Sequence, residues 1–140
     1  MAKTFSLQVI TPERTVFKGE VEMLIARATD GDLGILPGHA PLIASLAIWP
    51  LRVLTAGGEI LLSVCGGFLE VLPHQATVLA SCAELPEEID VKRALAAKER
   101  AESRLKGDRA GIDVLRAELA LKRAIARLKV AETVRQRSHG

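Results

Sequence analysis

The chain has 140 residues, 49% of them apolar and 26% charged, with a net charge of +2; this suits one modest core or a small domain with an appendage, and argues against two full-sized domains or a disordered chain. No stretch approaches the ~18 uninterrupted apolar residues of a membrane span, and Met1 to Arg14 has no apolar run behind a basic start, so the expectation is a cytosolic chain that meets a membrane only through partners. The charge is uneven: residues 1–84 hold five Lys/Arg against eight Asp/Glu, a balance of −3, while residues 85–140 hold fourteen against nine, a balance of +5, which points to different partners for the two halves.

Up to residue 84 the pattern predicts strands. TFSLQVIT (4–11) alternates, with Phe5, Leu7 and Val9 on one face; GEVEMLIA (19–26) sets Val21, Met23 and Ile25 against Glu20 and Glu22. GDLGILPGHAPL (31–42) spends three glycines, two prolines and a histidine on twelve positions. Glycine admits positive φ and proline fixes φ, so this is a rigid, shaped surface loop, suited to holding phosphate, to catalysis or to pressing on another protein. The first use is disfavoured: Gly-x-x-x-x-Gly-Lys-Ser/Thr is missing, and LIASLAI, which follows, is strand-like rather than the start of a helix.

PLRVLTAGGEILLSV predicts a hairpin around Ala56-Gly57-Gly58, and FLEVLPHQATVLAS another turning at Pro73-His74-Gln75. Many short strands with regular turns indicate a β-sandwich or barrel. Cys65 and Cys82 lie in apolar surroundings without CxxC or His spacing, so buried thiols in a reducing compartment are expected rather than a metal or disulfide pair. His39, His74 and His139 show no metal-ligand spacing and suggest no Ser/His/Asp set, so an interface or structural role suits His39 better than acid–base catalysis.

After Pro86 the apolar period lengthens from two to three or four and Ala, Leu, Glu, Lys and Arg dominate. Val91, Leu95, Ala101 and Leu105 mark a first helix that stops at KGDRAG (106–111); Ile112, Leu115, Leu119, Leu128 and Ala131 stripe a second. The short Gly-containing connector makes them antiparallel neighbours. Alanine dominates the first helix's apolar side, so the hairpin is weakly held and suited to detaching and docking again.

GDLGILPGHAPLI, then RV on a strand, then GGFLEVLPHQATVLA, then a polar bridge into two Ala-rich helices, together resemble the ε subunits of bacterial F-type ATP synthases along essentially the whole chain. The chain departs from them at LAIWPLRV (46–53), where Trp49-Pro50 stands in place of a Pro-Gly turn. The resemblance implies an N-terminal antiparallel β-sandwich (1–84) followed by a C-terminal antiparallel two-helix hairpin (85–140). It implies a non-catalytic rotor subunit that couples ion-driven rotation to ATP synthesis. The sandwich would touch the γ subunit and the c-ring, with Asp32 facing the ring and His39 lying toward γ. The extended helices would reach the α/β catalytic hexamer and inhibit ATP hydrolysis. The place implied is the cytoplasmic face of the bacterial cell membrane, peripherally, with no direct insertion. A rigid but idle turn is the plain alternative for the loop alone.

ELPEEIDVKRA (84–94) contains a helix N-cap candidate, Asp90. The segment Ile89 to Ala94 also matches the Ile/Leu-Asp-x-x-Arg-Ala motif tied to ATP binding in some of these subunits. Most tail cations have an acidic neighbour three or four residues away: Lys92 with Glu88, Lys98 with Glu102, Arg116 with Asp113, Lys122 with Glu118, Lys129 with Glu132. Arg100, Arg123 and Arg127 have none, and Arg100 faces Arg104 as Arg123 faces Arg127 at like-charge spacing, so compensation must come from elsewhere. Folding the helices together would bring Arg93 and Arg100 near Arg123 and Arg127, a set of guanidinium forks suited to polyphosphate or to acidic surface on a partner. The resemblance assigns these four, with Glu84, Ile89 and Asp90, to regulatory ATP rather than a required cofactor; no Walker lysine or catalytic carboxylate accompanies them.

Two rivals stand beside this reading. A basic helical hairpin acting as a nucleic-acid or protein-interaction module is disfavoured on the nucleic-acid side, because the sole Trp and all three Phe precede residue 85 and Tyr is absent. A small β-barrel enzyme lacks ligand or triad spacings.

Overall fold

The computed structural model describes residues 3–107, 111 and 113–139. Nine strands come first: β1 (Phe5–Ile10), β2 (Thr15–Val21), β3 (Met23–Ala28), β4 (Gly31–Ile35), β5 (Leu42–Ile48), β6 (Leu51–Thr55), β7 (Gly58–Leu72), β8 (Gln75–Ala80) and β9 (Ala83–Glu84). A 3-10 turn (Pro86–Glu88) leads to helices α1 (Val91–Lys106) and α2 (Val114–His139). The expected β-sandwich followed by two helices is what the chain forms.

The sandwich is organised by β7. The strand order is β2-β1-β8-β7-β5-β3-β4, with β6 paired to β3 and β7, and β9 paired to β7. The ladders are antiparallel except β1–β8, which is parallel. The pairs Leu42↔Val71 and Leu51↔Leu62 belong to one continuous register, so β5 and β6 form a single long arm against β7, interrupted at Trp49-Pro50. Gly66 and Gly67, at φ +90° and +132°, let β7 turn from one layer to the other. Thr55↔Gly58 closes the far hairpin, where the Thr55 hydroxyl donates to the Gly58 carbonyl and accepts from Gly57 N–H. Phe5, Leu7, Val9, Leu24, Leu51, Val53, Leu62, Leu69, Val71 and Val78 fill the space between the layers.

Three expectations are corrected here. The buried face of the second strand run switches partway: Val21 is buried, but then Leu24, Ala26 and Ala28 point inward rather than Met23 and Ile25. The chain changes partner at Glu22, from β1 (Phe5↔Val21) to β6 (Met23↔Leu54), and one residue of slip exchanges the faces. GDLGI is strand β4 against β3, so only its second half is loop. Cys65 and Cys82 are brought side by side rather than standing apart as isolated thiols: Cys65 N–H donates to the Cys82 carbonyl and the two α-carbons stand 5.2 Å apart, within disulfide reach.

Asp90 caps α1, its carboxylate accepting from Arg93 N–H at 3.0 Å. The helix seam is alanine: Ala94 and Ala101 of α1, Ala117 and Ala124 of α2 are buried. Val91, Leu95 and Leu115 are exposed instead of forming the predicted stripe, since alanines bring the axes close and push larger side chains to the flanks. Ile112 lies outside the described residues. Val91, Leu95 and Lys98 share a groove with Leu128, Ala131, Glu132 and Arg135, which makes the helices antiparallel. α2 lies on the sandwich, with Val130 against Leu61 and Ile89, and α1 packs on α2 as an outer layer. No helix among the described residues is long and apolar enough to cross a membrane.

Candidate functional site

The sandwich offers one candidate surface around β4. Asp32 stands opposite Arg27 on β3 and accepts its Nε–H at 2.9 Å, while remaining largely exposed. His39 lies beyond the other end of β4: its N–H donates to the Leu36 carbonyl, and its Nδ1–H donates to the Ala40 carbonyl at 2.8 Å. Gly38 N–H donates to the Pro73 carbonyl, tying this loop to the β7–β8 turn. Asp32 and His39 thus mark two ends of one rigid edge rather than one cluster.

A second feature escaped the sequence reading. Across the outer face, Phe68 (58% exposed) pairs with Leu79 (52%), and Ile43 (72%) stands on the neighbouring strand opposite Glu70. Ile10, beside Leu79 on β1, continues the row. An exposed apolar strip of this kind on a sheet face is chemically suited to docking. Alternation alone would have found it, since Phe68 and Leu79 occupy the polar phase of their strands.

The helical residues converge in part. Arg127, alone in its own helix, finds its counter-charge on the sandwich: Nε donates to Glu84 Oε1 at the end of β9, both groups being half-buried. Its Nη2 also lies 3.9 Å from Cys82 Sγ. Ile89 is buried against Leu61 and Val130, one turn from Arg127, and Asp90 holds the start of α1. Around this junction, Leu85 N–H donates to Glu88 Oε1, and Arg14 pairs with Glu88 at 2.7 Å. The guanidinium hydrogen bond, followed by the Leu85 N–H, holds the Glu88 carboxyl below the usual carboxylate range.

Arg100 and Arg123 are not drawn into that junction. Arg100 lines a shallow hollow with Ala96, Glu99, Ser103 and Arg104; Arg123 lines another with Asp113, Leu115, Arg116 and Leu119. Helical geometry still puts the arginines on one flank. Arg93 and Arg100 immediately precede the seam residues Ala94 and Ala101, while Arg123 precedes Ala124 and Arg127 follows it by three. In an antiparallel pair those positions border the same side of the seam. Among the described residues only the Arg127 guanidinium makes a contact within this group, with Glu84; guanidinium forks bordering one side of a helix seam suit phosphate or carboxylate alike. A polyphosphate would have to compete with Glu84 for the Arg127 fork.

None of the five ion pairs predicted within the helices is found among the described residues; Asp113 instead caps α2 by accepting Arg116 N–H, and Lys129 turns toward Trp49. Exposed lysines gain little from such pairs and lose rotamer freedom by making them.

The chain matches the family model of the ATP synthase delta/epsilon chain in two parts, the beta-sandwich domain over residues 4–86 and the long alpha-helix domain over residues 87–132. It is 50% identical to the ATP synthase epsilon chain of Desulforamulus reducens over 132 residues, covering 94% of this chain and 100% of that one. It is 51% identical to the epsilon chain of Bacillus velezensis over 129 residues, 92% of this chain and 98% of that one. Among solved structures, a chain of the Euglena gracilis mitochondrial ATP synthase, solved with its OSCP, F1 and c-ring, shares the fold with a TM-score of 0.76 at 23% identity, over 91% of this chain and 81% of that chain.

Proposed function

The chain belongs to the ATP synthase delta/epsilon chain family and is a non-catalytic subunit of that complex, and we propose that it works as a rotor element with a nucleotide-sensing arm. The sandwich docks on the central shaft through the strip of Ile43, Phe68 and Leu79, with His39 toward the shaft, and meets the c-ring at Asp32. The hydrogen-bonded loop between β4 and β5 supports this reading, because a contact loaded at every step of rotation gains from a backbone with little freedom to lose.

The helical hairpin is the regulatory part. With ATP bound along Arg93, Arg100, Arg123 and Arg127, and its other end near Glu84, Ile89 and Asp90, the hairpin stays folded on the sandwich. When ATP is scarce the helices extend toward the catalytic hexamer and block hydrolysis. The observation that carries this reading is the construction of the hairpin: an alanine seam, a small apolar contact at Val130, and polar ties such as Arg127–Glu84. Such an element lies at the low end of local stability.

A ligand shifts the balance only through its preference for the folded form, by about 2.7 kcal/mol at a hundredfold excess over Kd. Calorimetry and thermal unfolding of the isolated chain test the idea. ATP at that excess should raise the Tm by about 10 °C, and Arg123→Ala/Arg127→Ala should abolish the shift. An ATP response equal in wild type and double variant, or none in either, would refute nucleotide sensing and leave the rotor role standing.

A further inference from the structure

Trp49, the sole tryptophan, occupies the break between β5 and β6 where the long arm against β7 is interrupted, with Pro50 fixing the backbone behind it. Two cations from different elements lie over its ring: Arg27 of β3, with Cζ 3.8 Å from the centroid, and Lys129 of α2, with Nζ at 5.0 Å. Arg27 is itself held by Asp32. Beside the ring, Leu46, Ala47 and Ile48 share a groove with Leu119, Lys122 and Ile125 of α2. The indole is thereby a bridge, pinned on the sandwich side by a guanidinium and touched from the helix side by an ammonium.

We propose that Trp49 is a latch holding α2 on the sandwich, with Lys129 as the bolt that leaves when the hairpin undocks; this rests on the reading above that the hairpin has an undocked state. Lys129 has Glu132 three residues away as an alternative partner, yet it lies over the ring, where a cation meets the negative face of the indole. No Phe, Tyr or Trp lies in the helical half of the sequence, so on undocking Lys129 exchanges the ring for solvent. Each such contact is worth a factor of about two to five in the docking equilibrium at a partly exposed site. Losing the whole indole also removes apolar surface from the groove, raising the effect to about tenfold.

Native-state hydrogen exchange on the full chain, following amides of 114–139 against those of β7 and β8, reports the docking equilibrium, because a helix that leaves its tertiary support frays. Lys129→Met, which keeps the stem and removes the charge, should speed exchange of α2 two- to fivefold, and Trp49→Ala about tenfold, with the strands unchanged. Lys122→Met, in the same groove but off the ring, should have no effect. If α2 of the wild type opens without global unfolding but Trp49→Ala and Lys129→Met leave its rate alone, the latch is wrong while the mobile-arm reading stands. Equal acceleration in Lys122→Met would assign the effect to helix charge and also overturn the latch. Exchange of α2 only through global unfolding in every variant would overturn both.

Discussion

Gly67 sits inside β7 at φ +132°, where a Cβ would overlap the Leu79 carbonyl oxygen and lie 2.9 Å from the Ala80 α-carbon. Both obstacles are backbone of the paired strand, so no rotamer change relieves them. Gly67→Ala should cost more than about 3 kcal/mol, seen as a lowered denaturant midpoint with unchanged slope; a loss under about 1 kcal/mol would mean that the bend is soft. The sequence shows a Gly-Gly pair but not which carbonyl faces it, because that neighbour belongs to another strand. The same limit explains the other residue-scale surprises. Arg127 lacks a partner in its own helix, which is legible, whereas Glu84 as that partner requires the closed fold. Cys65 and Cys82 carry no local spacing signal, since it is the β7–β9 pairing that brings them together.

At the scale of elements, periodicity marked the strand and helix regions and the two hairpin turns fall at Ala56-Gly57 and Pro73-His74 as the turn residues indicate, but GEVEMLIA divides between β2 and β3, and the two runs on either side of Gly66-Gly67 are one strand, β7. What periodicity missed is a change of partner, as at Glu22, and the identity of the helix seam. Of the expected stripes, Val91, Leu95, Ala101 and Leu105 on α1 and Leu115, Leu119, Leu128 and Ala131 on α2, only Ala101 is fully buried; the contact is built from Ala94, Ala101, Ala117 and Ala124. Larger residues look like the better seam only if the interaxial distance is left free. Ala124→Leu tests this. Leucine is almost as good a helix former as alanine, so the expected loss of about 1–3 kcal/mol reports overpacking alone. Ala96→Leu, on the exposed side of α1, should be within about 0.5 kcal/mol of wild type. Equal effects at both positions, measured by thermal unfolding, would show that the seam is not tight.

For the molecule as a whole, the arrangement is a layered one in which α1 holds to α2 and α2 holds to the sandwich by discrete ties. One lies at the end of α2, where Arg137 reaches Glu59 of the β6–β7 hairpin at 3.4 Å, and Glu59 is also forked by Arg52 at 2.9 and 3.1 Å. The Arg52 hydrogen bond, against partial desolvation and with help from Arg137, holds the Glu59 carboxyl below its ordinary range. Glu88, at the root of the helices, is depressed in the same direction by Arg14. A carboxylate depressed in the folded state contributes stability that is fully present above the unfolded value of ~4.3 and is lost as pH falls through the lowered folded value. Urea midpoints should therefore be flat from pH 7 to about pH 5 as far as these two groups are concerned, and should fall on further acidification. Glu59→Gln should make that acid limb shallower and should speed exchange at the last turns of α2 already at neutral pH, because the tie of Arg137 to the sandwich is then uncharged on one side. The contribution is bounded at about 1 kcal/mol for so accessible a pair. A midpoint that rises between pH 5 and pH 3, or an acid limb identical in Glu59→Gln, would show that the charged tie contributes nothing to docking and that α2 is held through its other contacts, at Val130, Arg127–Glu84 and the Trp49 groove.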